Sequence, residues 1–163
     1  MRIGFDFDRV LFDTDSFNKY LKEETGLHHV DADVYDEHGC YSPEKHAEAC
    51  EIDVEVVYGA MEDLNQFLFS DVDELRKLRN GHELVIVTRG EEKNQRLKVK
   101  NSGAQRLFDQ LFIVQEGSKD VGQIDFLVDD REEEIKRVNM PGMVFDREKH
   151  GIKDVIDTIS DKK

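Results

Sequence analysis

Five short apolar runs, none of them alternating with polar residues, set the tightest limit on how this chain can fold. They are Ile3-Gly4-Phe5, Glu83-Leu84-Val85-Ile86-Val87, Leu111-Phe112-Ile113-Val114, Asp125-Phe126-Leu127-Val128 and Gly142-Met143-Val144-Phe145. A strand with one wet face alternates, whereas a continuous run suits a strand buried on both faces, as in a parallel sheet covered by helices. Helical patterns separate the runs. Asp71 to Asn80 carries Val72, Leu75 and Leu78 and stops at Gly81, a natural C-terminal cap. Glu91 to Asn101 is charged, has few apolar anchors and reads as a surface helix. Glu132 to Val138 precedes Pro141, and Ile152 to Ile159 is the last helical pattern. This repeated strand–helix order predicts an α/β fold, a doubly wound parallel sheet with right-handed crossovers.

One interval breaks the rhythm. Between the first and second runs lie about seventy residues with no convincing strand. Asp13 or Thr14 can cap a helix through Phe17, Tyr20 and Leu21 that ends at Gly26. Residues 27–42 look irregular, with His28 and His29 as loop residues. Pro43 opens a second helix through Ala47 and Cys50, and Val54, Val57, Met61, Leu64 and Leu68 mark a third at helical spacing. The division that follows is a core of residues 1–15 and 71–163, with a helical insertion over 16–70 placed as a lid on the sheet's carboxyl edge. The alternative is that these helices pack as extra layers.

A chain of 163 residues fits one domain, or a core with a modest insertion. Its net charge of -14 argues against a nucleic-acid polymer or an anionic membrane as partner, because phosphates would be repelled. A small phosphorylated substrate stays open if a metal and a few basic groups act locally. No apolar run approaches the ~20 residues that span a bilayer, and acids interrupt the first run at once, unlike a signal peptide. Cys40 and Cys50 do not make a disulfide framework, so the expectation is a reduced, cytoplasmic protein.

The polar residues at the ends of the runs carry the chemistry. Asp6 and Asp8 flank Phe7, and residues two apart on a strand point the same way. Like charges so close are costly unless a cation or a shared proton offsets them. Thr88 ends the second run, Asp129 and Asp130 end the fourth, and Lys119 lies in the loop before it. In a parallel sheet these ends share one edge, where open α/β sheets bind ligands. Each residue has a plain alternative. An Asp after a strand is often a helix cap, Thr88 is a β-branched strand end, and a lone lysine is more often solvated than bound. The ordered set is a stronger signal than any member.

Here the chain resembles the haloacid dehalogenase-like hydrolases. Phe5-Asp6-Phe7-Asp8-Arg9-Val10-Leu11 is similar to that family's first motif, and Leu84-Val85-Ile86-Val87-Thr88 to its second. Lys119 fits the third, and Phe126-Leu127-Val128-Asp129-Asp130 the fourth. The resemblance implies a Rossmann-like core with a small helical cap after the first strand, and a Mg2+-dependent phosphatase acting on a small phosphorylated substrate. It implies that Asp6 is the nucleophile, forming an aspartyl-phosphate, and that Asp8 is the general acid and base, with a pKa raised by its acidic surroundings. The metal would bind the Asp6 carboxylate, the Asp8 backbone carbonyl and Asp129, with Asp130 direct or through water. Phosphate oxygens would be held by Thr88, the backbone N–H groups of Arg89 and Gly90, and Lys119. The run ending Asp129-Asp130-Arg131 also looks similar to the 5'-nucleotidase branch.

Arg9 departs from the family pattern, in which the position after the second acid is usually small. It can clamp a substrate anion, pair with cap acids or obstruct the site. His38, Cys40, His46 and Cys50 offer four zinc-type donors, but their spacing matches no common finger. The plain reading is a buried cysteine with exposed histidines. A phosphomutase of the same family, or a binding protein that kept the fold without the chemistry, is the alternative function. A dehalogenase would not need Asp8. A signalling receiver would end its third strand in Asp, where this chain reads Val114-Gln115-Glu116-Gly117. No G-x-G-x-x-G follows the first strand, against a dinucleotide enzyme.

Overall fold

A computed structural model describes residues 1–26 and 34–162. The five apolar runs form one sheet in which every pairing is parallel. The strands are β1 (Arg2–Phe5), β2 (Glu83–Arg89), β3 (Gln110–Val114), β4 (Phe126–Asp129) and β5 (Gly142–Val144), in spatial order β3-β2-β1-β4-β5. The chain winds outward from β1 through β2 to β3, then crosses back to lay β4 on the other side of β1. The switch point therefore lies between β1 and β4.

Both faces of the sheet are covered, which is why its strands read as unbroken apolar runs. Ile3, Phe5, Leu84, Ile86, Phe126 and Val128 point into the larger apolar cluster. Val85, Val87 and Leu127 point the other way, packing with Val114 and Ile124.

The interval after β1 holds α1 (Thr14–Thr25), α2 (Pro43–Ala49) and α3 (Val54–Gly59). The Asp13 carboxylate accepts the Ser16 N–H at the start of α1, and Gly26, at φ 65°, ends it in the left-handed region that favours glycine. Ser42 caps α2, with Pro43 in its first turn. The expected third helix stops early. After Gly59 the chain turns, and Asn65–Phe67 is a single 3-10 turn. Asp63 draws off the Asn65 N–H, while the Leu64 N–H reaches the Asn101 carbonyl, so the backbone has partners that compete with a helix. Val72–Lys77 is likewise 3-10 rather than α, and Gly81 is not among the left-handed glycines. Asp71 gives its carboxylate to Arg147 and the Ile152 N–H instead of capping that turn.

Three helices follow: α4 (Glu92–Ser102), α5 (Glu132–Lys136) and α6 (Ile152–Ser160). The helix α4 lies at the surface on one face only, where Glu92, Lys93, Arg96 and Lys100 are exposed. Asn94, Gln95, Lys98, Val99 and Ser102 are buried. The helix is amphipathic in position but not in hydrophobicity, because much of its inner face is polar. Among the described residues no helix is long and apolar enough to cross a membrane. His28 and His29 lie outside the described residues.

The helical interval shares its interior with the sheet. Phe17, Leu21, Val57, Met61 and Leu64 belong to the same apolar cluster as Ile3, Phe5 and Leu84. Phe12 is a hinge of that cluster. It stacks on Phe7 with ring centres 4.9 Å apart and meets the edges of Phe17 and Phe67. Phe12→Ala is expected to cost about 3–5 kcal/mol, the usual range for emptying a buried aromatic site. The check is chemical denaturation, where the midpoint falls with the slope nearly unchanged.

Candidate active site

The site begins where β1 ends. Asp6 extends the strand, its N–H reaching the Val128 carbonyl at 2.8 Å. The chain then closes a tight turn, in which the Phe7 carbonyl accepts the N–H groups of Leu11 and Phe12 at 3.0 and 3.1 Å. Arg9 sits in this turn at φ 64°, an uncommon conformation for a residue with a side chain.

Lys119 organises the carboxylates at the switch point. Its ammonium is buried and donates to Asp6 Oδ1 at 2.9 Å and to Asp129 Oδ2 at 2.6 Å. Glu134, buried on α5, lies 3.8 Å from the same nitrogen. Arg89 grips Glu134 through two nitrogens, at 2.8 and 2.9 Å, and donates to the Gly117 carbonyl in the loop that carries Lys119. Burial pushes the Asp6 carboxyl well above its ordinary value; Lys119 opposes this, and Asp129 and Asp8 add to it. Asp129 is raised for the same first reason, against the pull of Lys119. Burial pushes the Glu134 carboxyl up, but the hydrogen bonds from Arg89 and the charges of Lys119, Arg89 and Arg131 together pull it below its ordinary value.

Asp8 behaves differently from the expectation. Burial pushes its carboxyl up, but the Lys98 ammonium and hydrogen bonds from Lys98, Gln95 and Thr14 pull it below the ordinary carboxylate range. Lys98 Nζ lies 2.6 Å from Oδ1, Thr14 donates to the same oxygen at 2.9 Å, and Gln95 donates to Oδ2 at 2.9 Å. The acidic crowding at the end of β1 does raise a pKa, but that of Asp6. Asp8 turns away to cations and donors on α1 and α4.

Gln95 also donates to Thr88 Oγ1 at 2.7 Å. Thr88 is wholly buried, and the cavity wall in front of it is Gln95. Gly90 makes room for this arrangement, since a Cβ there would fall 2.4 Å from Gln95 Cγ and 2.7 Å from Cδ. The Gly90 N–H is spent on the Val114 carbonyl at 3.2 Å, so it is not a ready donor for phosphate. Asp6, Asp8, Arg89, Gly90 and Lys119 line a cavity of about 410 Å³, to whose wall the helical interval contributes Phe17, Tyr35, Tyr41 and His46.

Asp6, Asp129 and Asp130 each offer a carboxylate oxygen within 4.8 Å of the others. Among the described residues no other group of three or more acidic, His or Cys side chains converges in this way. His38, Cys40, His46 and Cys50 therefore do not form the four-donor set considered for zinc. His38 pairs with Glu37 and Glu116, while His46 is buried rather than exposed and shares a 2.5 Å hydrogen bond with the Tyr41 hydroxyl. Both cysteines are free. Arg9 donates to Asp15, in the first turn of α1 and just outside the expected cap of residues 16–70, at 3.0 and 3.2 Å.

Sequence reasoning missed Thr14 as a partner of Asp8, and Gln95, Lys98 and Glu134 altogether. The one available signal for α4 was spacing: 94, 95 and 98 share a helical face. For Glu134 it was the acidic run following Asp130.

Comparison with solved structures shows the fold of the haloacid dehalogenase-like hydrolases. A protein from Burkholderia xenovorans LB400 described as such a hydrolase aligns with a TM-score of 0.64 at 14% identity, over 85% of this chain and 79% of that one. A haloacid dehalogenase-like family hydrolase from Xanthomonas campestris aligns at 0.57 with 16% identity, over 93% and 85%. A protein from Thermotoga maritima described as a beta-phosphoglucomutase aligns at 0.52 with 16% identity, over 85% and 84%. Identities this low establish a shared fold and leave the reaction to be argued from the residues. No family signature and no curated protein matches the sequence.

The contact between Gly90 and Gln95 generates a test. Gly90→Ala is expected to destabilise the protein by about 1–3 kcal/mol through overpacking. In a Gln95→Ala background, where the clashing atoms are gone, the same change should cost much less. A double-mutant cycle read by denaturation checks the coupling.

Proposed function

We propose that this chain is a magnesium-dependent phosphohydrolase that cleaves a small phosphorylated metabolite through an aspartyl-phosphate on Asp6. The observation that carries the reading is the convergence of Asp6, Asp129 and Asp130 around one point, with Lys119 bridging the first two. The donor set suits a hard divalent cation, since all three ligand groups are carboxylates. Asp6 and Asp129 are desolvated side by side, and a divalent ion between them would offset the repulsion of their carboxylates. Asp6, Asp129 and Asp130 would hold Mg2+ with the Asp8 carbonyl, and the ion would supply charge neutralisation on the phosphoryl oxygens.

The chain's own residues then divide the work. One Asp6 oxygen is fixed by Lys119, which leaves the other to attack phosphorus as the bond to the leaving oxygen breaks. Lys119 holds the charge that develops on the phosphoryl group. Asp8 starts ionised, so it is poised to act as the base that takes a proton from the water attacking the aspartyl-phosphate. To act first as an acid it must gain a proton, and the approach of a phosphate dianion favours that step by raising its pKa. Thr88 is reached through Gln95, and its hydroxyl, already accepting from Gln95, keeps a proton to donate. Residues 16–70 act as the cap that roofs the cavity and keeps water from the intermediate. Arg131 pairs with exposed Glu133, so the Asp-Asp-Arg run does not by itself select a nucleotide.

With Mg2+ present, hydrolysis of p-nitrophenyl phosphate is expected, falling by ~10³-fold or more in Asp6→Asn and by ~10²–10⁴-fold in Asp8→Asn. Full activity in a metal chelator would refute the mechanism.

A stability measurement tests the metal separately. Asp6 and Asp129 have raised values, so they stabilise the fold when protonated, and that contribution is lost as pH rises through their folded-state values. Asp8 has the opposite sign: its contribution is present above the ordinary carboxylate value and lost as pH falls through its lowered one. Asp6 and Asp129, once holding Mg2+, would no longer need those protons. The ion should therefore raise the thermal midpoint more at about pH 7.5 than at about pH 5. An equal shift at both, or none, would count against Asp6 and Asp129 as ligands.

A further inference from the structure

The cavity is basic inside an acidic protein. The chain carries a net charge of -14, yet among the described residues the carboxylates on the cavity wall are Asp6 and Asp8, against the cations Arg9, Lys22, Arg89, Lys98, Lys119 and Arg131. Three of these cations are committed to buried or half-buried carboxylates: Lys119 to Asp6 and Asp129, Lys98 to Asp8, and Arg89 to Glu134. Arg9, Lys22 and Arg131 are not held by a buried carboxylate, although Arg9 also feels the charges of Asp130 and Asp8.

These three differ in kind from the committed set. Arg9 pairs with Asp15, whose side chain is 75% exposed, and Arg131 with Glu133, whose side chain is 72% exposed. Exposed pairs of this kind contribute little, and their acids stay hydrated when the cation leaves. Lys22 has no ion pair among the described residues. It stands on α1 one turn beyond Asn18, which lines the same cavity, so helical spacing puts an amide and an ammonium side by side on that wall. Arg9 reaches the wall from the turn that holds Asp8, and Arg131 from the end of β4. A single phosphoryl group at Asp6 uses the committed cations and the metal. It gives no reason for three more on the same walls.

We infer that the substrate is a phosphomonoester carrying a second anionic group, a carboxylate or a second phosphoryl group, which Arg9 and Lys22 take up while the first phosphoryl group sits at Asp6. This rests on the phosphohydrolase reading and names its substrate class. The cavity, about 410 Å³, falls within the ~300–1,000 Å³ of small-molecule sites and leaves room for such a molecule beyond the reacting group. The second anion also works against long-range repulsion, because a basic mouth concentrates anions that the rest of the surface turns away.

The test compares substrates matched in all but the second charge. With Mg2+ present, kcat/KM is measured for 3-phosphoglycerate against glycerol 3-phosphate, for glucose 1,6-bisphosphate against glucose 1-phosphate, and for adenosine 5'-monophosphate. The inference expects about tenfold or greater preference for the charged member of at least one pair, and the winning pair tells carboxylate from phosphoryl. Lys22→Gln and Arg9→Gln should each lower that preference several-fold, mainly through KM, and Lys22→Arg should keep it. Equal rates within both pairs, a preference for adenosine 5'-monophosphate over all of them, or a preference that survives both glutamine variants would overturn the inference while leaving the phosphohydrolase reading intact. No hydrolysis of any of these esters or of p-nitrophenyl phosphate would overturn both together.

Discussion

Carboxylates brought together at the switch point of a parallel sheet repel one another, and the rest of the site is built around that repulsion. β1 and β4 are neighbours in register, so Asp6 and Asp129 emerge side by side. Two buried lysines make the arrangement tolerable. Lys119 stands between Asp6 and Asp129, and Lys98 draws Asp8 away from them. A buried charge without a partner costs several kcal/mol, so neither lysine is dispensable to the fold even before any chemistry is considered. The two aspartates of the first motif are thereby given opposite characters. Asp6 is desolvated and prefers a proton or a cation, and Asp8 is held ionised. Such a separation of two nearby acids is what a reaction with distinct nucleophile and acid–base roles requires.

The helical interval after β1 belongs to this same problem. Thr14 at the start of α1 contributes a hydrogen bond to Asp8, and Phe12 and Phe17 surround the stem of Lys98, whose ammonium lies 5.6 and 5.8 Å from their ring centres. Residues of the interval thus complete the setting of Asp8 as well as lining the cavity. Their shared apolar cluster with the sheet fits that double part.

Much of this was legible in the sequence, and the illegible parts have physical reasons. The strands could be read because burial on both faces leaves unbroken apolar runs such as Leu84-Val85-Ile86-Val87. Their polar ends could then be placed on one edge by topology alone. The inner face of α4 could not be read, because Asn94, Gln95 and Lys98 look like a wet surface to any argument from hydrophobic periodicity. The ionised state of Asp8 could not be read either. Its local sequence offers acids and Arg9, whereas the cation that decides its charge is Lys98, ninety positions away. Leu64 and Leu68 kept helical spacing with Val57 and Met61 yet belong to separate turns, since side-chain spacing does not report that Asn101 has taken over backbone partners.

The central claim is that side chains from β1 and β4 share one divalent cation. Isothermal titration of the protein with Mg2+ at neutral pH tests it most directly, comparing the unaltered chain with Asp129→Asn. The account predicts one ion bound per chain and loss of that binding in the variant. Binding that is absent from the unaltered chain, or that persists undiminished in Asp129→Asn, would contradict it.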